Sequence, residues 1–166
     1  MTHAPFRVLV YPYRRLAGGG LQYALFRRRG LRRWHGISGP SKGDEIPLEA
    51  ARREAYEEAN IPFDRKIVQL STVVPVPISF LRKSRAYEKL SESDLYVIPQ
   101  YCFGLSAPNS RIAPRRDDVE FRWVSYEAAQ SMIQFQANRI AFWELHARLT
   151  ERGARGLGVH GLQDMV

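Results

Sequence analysis

The segment from Pro47 to Ala59, PLEAARREAYEEA, constrains the fold of this chain more than any other. Pro47 suits the first position of a helix, because its missing N–H is not needed there. Small apolar residues then recur at the spacing of one helix face, namely Leu48, Ala51, Ala55 and Ala59. Asn60 tolerates the left-handed conformation that often ends a helix, and Pro62 prevents continuation. The sequence therefore predicts a helix over 47–59 whose small-residue face packs closely on a sheet.

Three carboxylates flank that apolar face. Glu54, Glu57 and Glu58 are spaced three and four residues apart, and like charges at this spacing cost about 0.2–0.5 kcal/mol per pair. They also lie toward the helix C-terminus, where the helix dipole disfavours anions. A divalent cation would offset both costs, since Mg²⁺ binds carboxylate oxygens together with water and substrate phosphates. A solvated acidic face without a ligand is the alternative that the helix alone leaves open.

The residues around the helix extend this pattern into a longer signature. Its fixed positions are Gly39, Glu45, Arg53, Glu54, Glu57 and Glu58. The stretch GPSKGDEIPLEAARREAYEEANI resembles the signature of the Nudix family, with Asn60 in place of the usual glycine. Trp34 before it and FRWVS at 121–125 after it match the family as well, so that the resemblance covers about residues 6–150. The stretches WHGISG at 34–39, PLEAARREAYEEANI at 47–61 and NRIAFWELHARL at 138–149 make the chain most similar, within the family, to the dihydroneopterin triphosphate pyrophosphatase-like branch.

The other segments predict mainly strands. Alternating or apolar runs with turn residues between them predict strands at 6–14, 21–28, 66–79, 95–105 and 119–124. Two helices are predicted. One covers 126–133, with Ser125 as N-cap. The other covers 138–152 and is ended by Gly153, with apolar positions at Ile140, Trp143, Leu145 and Leu149. We expect loops at 30–43, 82–94 and 107–116.

This order indicates an α+β fold or a mixed α/β sandwich rather than a βαβ repeat. The resemblance implies the Nudix fold, an α/β/α sandwich with a central mixed sheet, the loop and helix of the signature, and C-terminal helices. We expect a single Nudix hydrolase domain over residues 1–153 and a glycine-rich tail over 154–166.

The resemblance also implies residue roles. It implies a hydrolase that breaks a diphosphate linkage by attack of water on phosphorus, with Mg²⁺ as cofactor and Mn²⁺ as the alternative metal. The implied metal ligands are Glu54, Glu57, Glu58 and the carbonyl of Gly39. Glu57 and Glu58 belong to the catalytic set as well. Arg53 and Glu45 are interpreted as an ion pair that ties the helix to its loop and so orients the metal site.

A carboxylate from outside the signature often assists in this family, and two candidates precede Trp123. Asp117 lies in a predicted loop, six residues before Trp123. Glu120 lies on the predicted strand 119–124, where side chains alternate between faces, so that it shares a face with Arg122 and points away from the apolar side. For either residue, a solvated acid without a role is the alternative.

Arginine residues near the second strand are candidates for binding substrate. Arg27, Arg28 and Arg33 offer bidentate donors to phosphate, and Trp34 could stack on a base or pterin. Solvated charges at a strand end, and core packing for the tryptophan, are the alternatives that the sequence leaves open.

The composition narrows the partners. The chain of 166 residues has 25 Lys and Arg against 17 Asp and Glu, a formal charge of +8, which favours anionic partners such as nucleotides. No run of 18 apolar residues exists, so that no membrane partner is expected. The single Cys102 and the lack of a signal-like N-terminus predict a cytoplasmic protein. A homodimer is left open.

We therefore expect a pyrophosphohydrolase acting on a small nucleoside triphosphate-like molecule, dihydroneopterin triphosphate or a dNTP. One alternative is removal of pyrophosphate from RNA 5′ ends, which the positive charge would suit. A second is a non-catalytic Nudix-fold nucleotide sensor, which should have lost signature carboxylates that this chain retains. A nucleic-acid partner is not expected, because no aromatic stacking platform with basic neighbours is evident.

Overall fold

The computed structural model describes residues 5–81, 83–92, 94–108 and 112–155. The strands are β1 (Arg7–Arg15), β2 (Leu21–Arg28), β3 (Ile37–Pro40), β4 (Ile67–Pro77), β5 (Val97–Ser106) and β6 (Val119–Val124). The α-helices are α1 (Pro47–Ala59), α2 (Tyr126–Met132) and α3 (Gln136–Arg155), and two short 3₁₀ helices lie at Ile78–Phe80 and Arg85–Glu92. The predicted helix over 47–59 is confirmed residue for residue, and the other predicted elements differ only at their ends.

The strands form one mixed sheet in the order β4-β5-β1-β2-β6, with β3 paired to β1. On one edge, β1 pairs in parallel with β5 along seven residue pairs, from Arg7 to Tyr13. The other edge is shared, because β3 pairs with Arg7–Val10 and β2 with Tyr13–Arg15. The N-terminal part of β1 therefore lies between β3 and β5, and its C-terminal part lies between β2 and β5.

Each face of the sheet carries helices. On one face, α1 covers a core that includes Val8, Phe26 and Phe103. On the other, α2 and α3 cover a second core that contains Tyr11, Tyr23, Phe142 and Leu145. Helix α3 packs closely on β5, because a Cβ at Gly104 would lie 2.2 Å from Leu145 Cδ1. The predicted α/β/α sandwich with a central mixed sheet is confirmed.

Two segments predicted as loops contain regular structure. Strand β3 lies within 30–43, where a four-residue run with a glycine and a proline gives little local signal. It forms because β1 offers an edge that β2 does not use. The 3₁₀ helix Arg85–Glu92 lies within 82–94 and is anchored by Tyr87, which is buried against Ile78, Leu81 and Ile98.

Helix α3 differs from its prediction in two ways. It continues through Gly153 to Arg155, since glycine inside a helix costs only about 1 kcal/mol. Of its predicted apolar positions, Leu145 and Leu149 are buried, whereas Ile140 and Trp143 are exposed. Residues 156–166, most of the predicted tail, lie outside the described residues. In the part of the chain that is described, no helix has the length and hydropathy to cross a membrane.

Candidate active site

Helix α1 carries the signature carboxylates, and both of its ends are locally determined. Pro47 occupies the first helical position, and Asn60 ends the helix in the left-handed conformation with φ 56° and ψ 33°. The main-chain N–H of Asn60 donates to Tyr56 O at 3.0 Å. The small residues Ala51, Ala55 and Ala59 are fully buried against the sheet. Close approach of α1 to the sheet brings the flanking carboxylates to β3.

Arg53 organises the carboxylates. Its Nε donates to Glu45 Oε2 at 3.0 Å and its Nη2 to Glu45 Oε1 at 2.6 Å, while Nη2 also donates to Pro40 O at 2.8 Å. Its Nη1 donates to Glu54 Oε1 at 2.6 Å and to Glu57 Oε2 at 3.0 Å. The hydrogen bond to Glu45 is the main reason that the pKa of Arg53 is raised. One guanidinium therefore fixes the loop, the end of β3 and two carboxylates of α1.

Glu54 is the buried carboxylate of the site, with 4% of its surface exposed. It lies against Gly39 on β3, where a Cβ would stand 2.1 Å from the Glu54 carboxyl carbon and 2.2 Å from Oε1. Only glycine leaves that space free. A buried carboxylate requires a cationic or hydrogen-bonding partner, and Arg53 Nη1 supplies one.

Glu58 lies one turn after Glu54 and behaves differently. The residue keeps exposed surface, yet surrounding protein atoms partly desolvate its carboxyl. This desolvation, together with the charge of Glu54, raises the pKa of Glu58 to about 7. The nearby charges of Arg28, Arg7 and Arg116 act in the opposite direction. Glu58 therefore binds a proton more readily than an ordinary glutamate.

Glu57 and Glu45 lie toward the loop that precedes α1. Lys42 Nζ donates to both carboxylate oxygens of Glu57, at 3.1 and 3.0 Å. Partial burial of Glu57 acts against ionisation, but the hydrogen bonds from Lys42 and Arg53 prevail and lower its pKa. For Glu45, burial is likewise outweighed by hydrogen bonds from Arg53 and from the Lys42 main chain, which lower the pKa.

The donors of this cluster suit a hard divalent cation. Across the described ranges, no three His, Cys, Asp or Glu side chains already converge into a metal site, and Arg53 and Lys42 occupy carboxylate oxygens of Glu54 and Glu57. Yet Glu54 and Glu58 are close enough for the charge of one to raise the pKa of the other, and a cation between them would remove that repulsion. Oxygen donors from Glu54, Glu58 and the Gly39 carbonyl match the preference of such an ion.

The loop before β6 brings one of the two outside carboxylates toward α1. Main-chain N–H groups of Ala113 and Arg115 donate to Ala59 O at 3.1 Å and Glu58 O at 3.2 Å. Asp117 follows in this loop, is exposed and has no ion-pair partner among the described residues. Glu120 is instead engaged, because Arg27 Nε donates to its Oε1 at 2.5 Å and forms an ion pair with it.

The predicted substrate-binding residues divide into two groups. Trp34 is buried and contacts two guanidiniums, with Arg27 4.6 Å and Arg122 5.1 Å from its ring centroid. Arg27 is thus held by both Glu120 and Trp34. Arg28 is exposed and its charge reaches Glu58. Arg33 is exposed and its guanidinium lies 5.6 Å from the Phe135 ring centroid.

Arg7 and Tyr87 belong to the neighbourhood of the carboxylates and were not predicted. Arg7 Nη1 donates to Tyr87 Oη at 2.9 Å and Nη2 to Ser38 Oγ at 3.4 Å. Burial raises the pKa of Tyr87, the charge of Glu54 adds to the rise, and Arg7 opposes it. In the sequence, Arg7 is one arginine of a strand and Tyr87 lies in a polar segment, and neither pattern indicates a functional site. The pairing of β1 with β3 brings Arg7 beside the signature, and Tyr87 joins it through its hydrogen bond with Arg7.

The comparisons with known proteins agree with this geometry. The NUDIX domain model matches residues 9–145. A NUDIX hydrolase structure from Listeria monocytogenes is 28% identical, with a TM-score of 0.77, covering 90% of this chain and 97% of that one. The Escherichia coli dihydroneopterin triphosphate pyrophosphohydrolase is 22% identical, with a TM-score of 0.68, covering 86% of this chain and 96% of that one. We found no curated protein with a significant sequence match.

The chain therefore belongs to the Nudix family. It is a pyrophosphohydrolase, a hydrolase of nucleoside diphosphate derivatives, and enzymes of this family generally depend on a divalent metal. A C. elegans Ap4A hydrolase shares the fold at 16% identity and a TM-score of 0.65, covering 89% of this chain and 99% of that one. Neighbours with different substrates thus share one scaffold.

Proposed function

We propose that this chain is a Mg²⁺-dependent pyrophosphohydrolase of a nucleoside triphosphate-like small molecule, dihydroneopterin triphosphate or a dNTP. Mn²⁺ is the alternative metal. The observation that carries the proposal is the buried Glu54 carboxylate, packed on Gly39 and fixed by Arg53, with Glu58 one turn away. The similarity in fold to the dihydroneopterin triphosphate enzyme supports this choice of substrate class.

In this proposal, each signature residue has one task. Glu54 and Glu58 supply carboxylate oxygens to the metal, the Gly39 carbonyl supplies a third oxygen, and Glu57 is a further ligand once Lys42 releases it. The bound metal would neutralise phosphate charge and lower the pKa of a coordinated water. Arg53 and Glu45 touch no reacting atom and act as positioning residues, because their bonds fix the carboxylates relative to β3.

The proton of the attacking water needs an acceptor. A carboxylate that is exposed, unpaired and close to α1 meets the requirement, and general base catalysis of this kind contributes about 10²–10⁴-fold. Asp117 satisfies these conditions better than Glu120, whose carboxylate is held by Arg27. We therefore propose Asp117 as the assisting carboxylate, with Glu120 as the second candidate.

Exposed cations beside Glu58 are suited to the phosphate chain. Arg28 is exposed, and its charge reaches the Glu58 carboxyl, so we propose it as the first phosphate-binding residue. Arg27 and Trp34 would form the wall next to it, and Arg33 would lie farther out beside Phe135. The cytoplasmic location stays a prediction. The oligomeric state stays open between monomer and homodimer, and size-exclusion chromatography with light scattering tests it.

A product analysis over a small panel tests the proposal. The purified protein is incubated with dihydroneopterin triphosphate, the four dNTPs, a dinucleoside polyphosphate, ADP-ribose and a 5′-triphosphate RNA, each with Mg²⁺ and with chelator. We expect metal-dependent release of pyrophosphate from the pterin triphosphate or a dNTP. Faster turnover of RNA ends would favour the first alternative function. Binding of nucleotide without turnover of any compound would favour the sensor.

A further inference from the structure

A cavity opens at the end of the sheet that lies away from the signature carboxylates. Its volume is about 460 Å³, within the range of about 300–1,000 Å³ that is usual for small-molecule sites. Arg7, whose charge reaches Glu58, begins β1, whereas Tyr13 lines the cavity six residues farther along the same strand. At about 3.3 Å per residue, roughly 20 Å of strand separates them. The cavity is therefore separate from the candidate active site.

Four elements contribute to the walls of this cavity, and hydrogen bonds join them. The lining residues come from the C-terminal ends of β1 and β5, from the start of β4 and from the second half of α3. The main-chain N–H of Ser106 donates to Lys66 O at 2.8 Å. Arg15 Nη2 donates to Leu149 O at 3.0 Å. These bonds hold the walls in place before a ligand arrives, which reduces the entropic cost of binding.

The charged residues that line the cavity are all cations, namely Arg15, Lys66 and Arg148. Arg148 is neutralised by Glu144 on the same helix, with 2.7 Å between Nη2 and Oε1. Lys66 is exposed and, within the described ranges, its ammonium group forms no ion pair and donates no hydrogen bond. Arg15 is exposed as well and has no carboxylate partner in the same ranges. Two positive charges are therefore available to a ligand in this cavity.

The uncharged part of the lining is mainly apolar. Val68 and Leu149 contribute aliphatic side chains and Tyr13 contributes a ring. Tyr13 and Leu149 belong to the core beneath α2 and α3, and Val68 packs against it, so that these walls are firmly supported. Ser106 adds a hydroxyl group. A lining of this composition suits a small molecule that has an apolar body and one strongly anionic group.

We propose that this cavity is a second ligand site, which binds an organic phosphate monoester. Arg15, Lys66 and the Ser106 hydroxyl bind the phosphate group, and the apolar body of the ester packs on Val68 and Leu149. A phosphate monoester carries a charge of about −1.5 to −2 at pH 7, which matches the two available cations better than a single carboxylate does. Guanidinium and ammonium groups both form charge-assisted hydrogen bonds with phosphate. Binding at this site needs no divalent metal.

Naphthyl phosphate is the probe that tests this site, because it is a monoester without the diphosphate linkage that the enzyme hydrolyses. Its binding is measured by isothermal titration calorimetry, with chelator present, for the wild type, Lys66→Gln and Arg15→Gln. Lys66 is exposed, so that its substitution should leave the melting temperature unchanged. Arg28→Gln is the matched control, since it removes one positive charge at the candidate active site instead. Inorganic phosphate and naphthol are titrated as ligands that lack the apolar body and the charge, respectively.

We expect the Kd of naphthyl phosphate to rise about tenfold in Lys66→Gln and in Arg15→Gln, because each variant loses a charge-assisted hydrogen bond. Arg28→Gln should keep the wild-type Kd, and inorganic phosphate and naphthol should bind the wild type more weakly than the ester. The inference is overturned if the wild type does not bind the ester, if both cavity variants bind it as tightly as the wild type, or if inorganic phosphate binds equally well. An equal rise of Kd in Arg28→Gln would also overturn it, since the probe would then lie at the active site.

Discussion

The carboxylate of Glu54 occupies the space that a side chain at Gly39 would fill, with 2.1 Å between the Glu54 carboxyl carbon and the position of a Cβ. Gly39 belongs to β3 and Glu54 to α1, so that this contact locks the helix against the sheet at the signature. Arg53 closes the arrangement, since it binds both Glu54 and the carbonyl of Pro40. The buried Glu54 carboxylate thus keeps its position because Gly39 has no side chain and because Arg53 binds it.

Gly39→Ala tests this contact. A Cβ closer than van der Waals distance displaces the Glu54 carboxylate, and overpacking of this kind typically costs about 1–3 kcal/mol of stability. We expect turnover to fall by about a hundredfold or more, together with a lower melting temperature. Gly18→Ala is the matched control, because a Cβ at Gly18 meets no atom within 4 Å. Wild-type turnover in Gly39→Ala would show that Glu54 need not lie where the structure has it.

Arg53→Lys tests whether the geometry of the guanidinium matters beyond its charge. Lysine keeps the positive charge but loses the planar fork that reaches Glu45, Glu54 and Pro40 together. We expect metal affinity and turnover to fall about 10–100-fold, the usual effect of removing a residue that orients metal ligands. Arg52→Lys is the control, because Arg52 donates to the carbonyls of Phe63 and Arg65, away from the carboxylates. Equal effects of the two substitutions would contradict the positioning role.

Elements that are set by interactions between nearby residues could be predicted from the sequence. Elements that depend on contacts between distant segments could not. Helix α1, the left-handed Asn60 and the Ser125 N-cap are set within a few residues, and the structure confirms each. Strand β3 exists only because β1 leaves an edge free, and Tyr87 is anchored by contacts with distant segments. No local pattern reveals such elements.

The same limit applies to the site. The signature spacing predicts that Glu54, Glu58 and Arg53 lie together, and the structure places them so, because neighbours along one helix are also neighbours in space. Arg7 lies on a strand where alternation explains a polar residue without assigning it a role. Its proximity to the carboxylates depends on the pairing of β1 with β3, which the sequence does not state.

The raised pKa of Glu58 predicts a pH dependence of stability in the metal-free protein. An ordinary glutamate titrates near 4.5, whereas desolvation and Glu54 raise the pKa of Glu58 to about 7 in the folded state. Its protonated form therefore stabilises the fold below about pH 4.5, and this contribution is lost as the pH rises through 7. Glutamine is neutral throughout. The free energy of unfolding of the wild type minus that of Glu58→Gln should fall between pH 5 and pH 8.

Denaturant unfolding of both proteins with chelator, at several pH values in that range, measures this difference. Titration of groups that do not interact with Glu58 cancels between the two proteins. A difference that stays constant or increases with pH would show that the pKa of Glu58 is not raised in the folded protein.

The two outside carboxylates should respond differently to neutralisation. Asp117→Asn removes an unpaired acid beside α1, and we expect kcat to fall by about 10²-fold or more. Glu120→Gln breaks an ion pair with Arg27 and should change kcat by less than Asp117→Asn does. Asp64→Asn, at another exposed acid, serves as control. If neither substitution affects kcat, the assisting carboxylate is neither of these residues.

In the proposed function, Glu54 and Glu58 hold the divalent metal on which turnover depends. The most direct measurement is Mg²⁺ binding by isothermal titration calorimetry, together with pyrophosphate release, for the wild type, Glu58→Gln and the control Glu127→Gln on α2. We predict that Glu58→Gln loses Mg²⁺ affinity and at least about a hundredfold in turnover, while Glu127→Gln retains both. Wild-type Mg²⁺ binding and turnover in Glu58→Gln would contradict the claim.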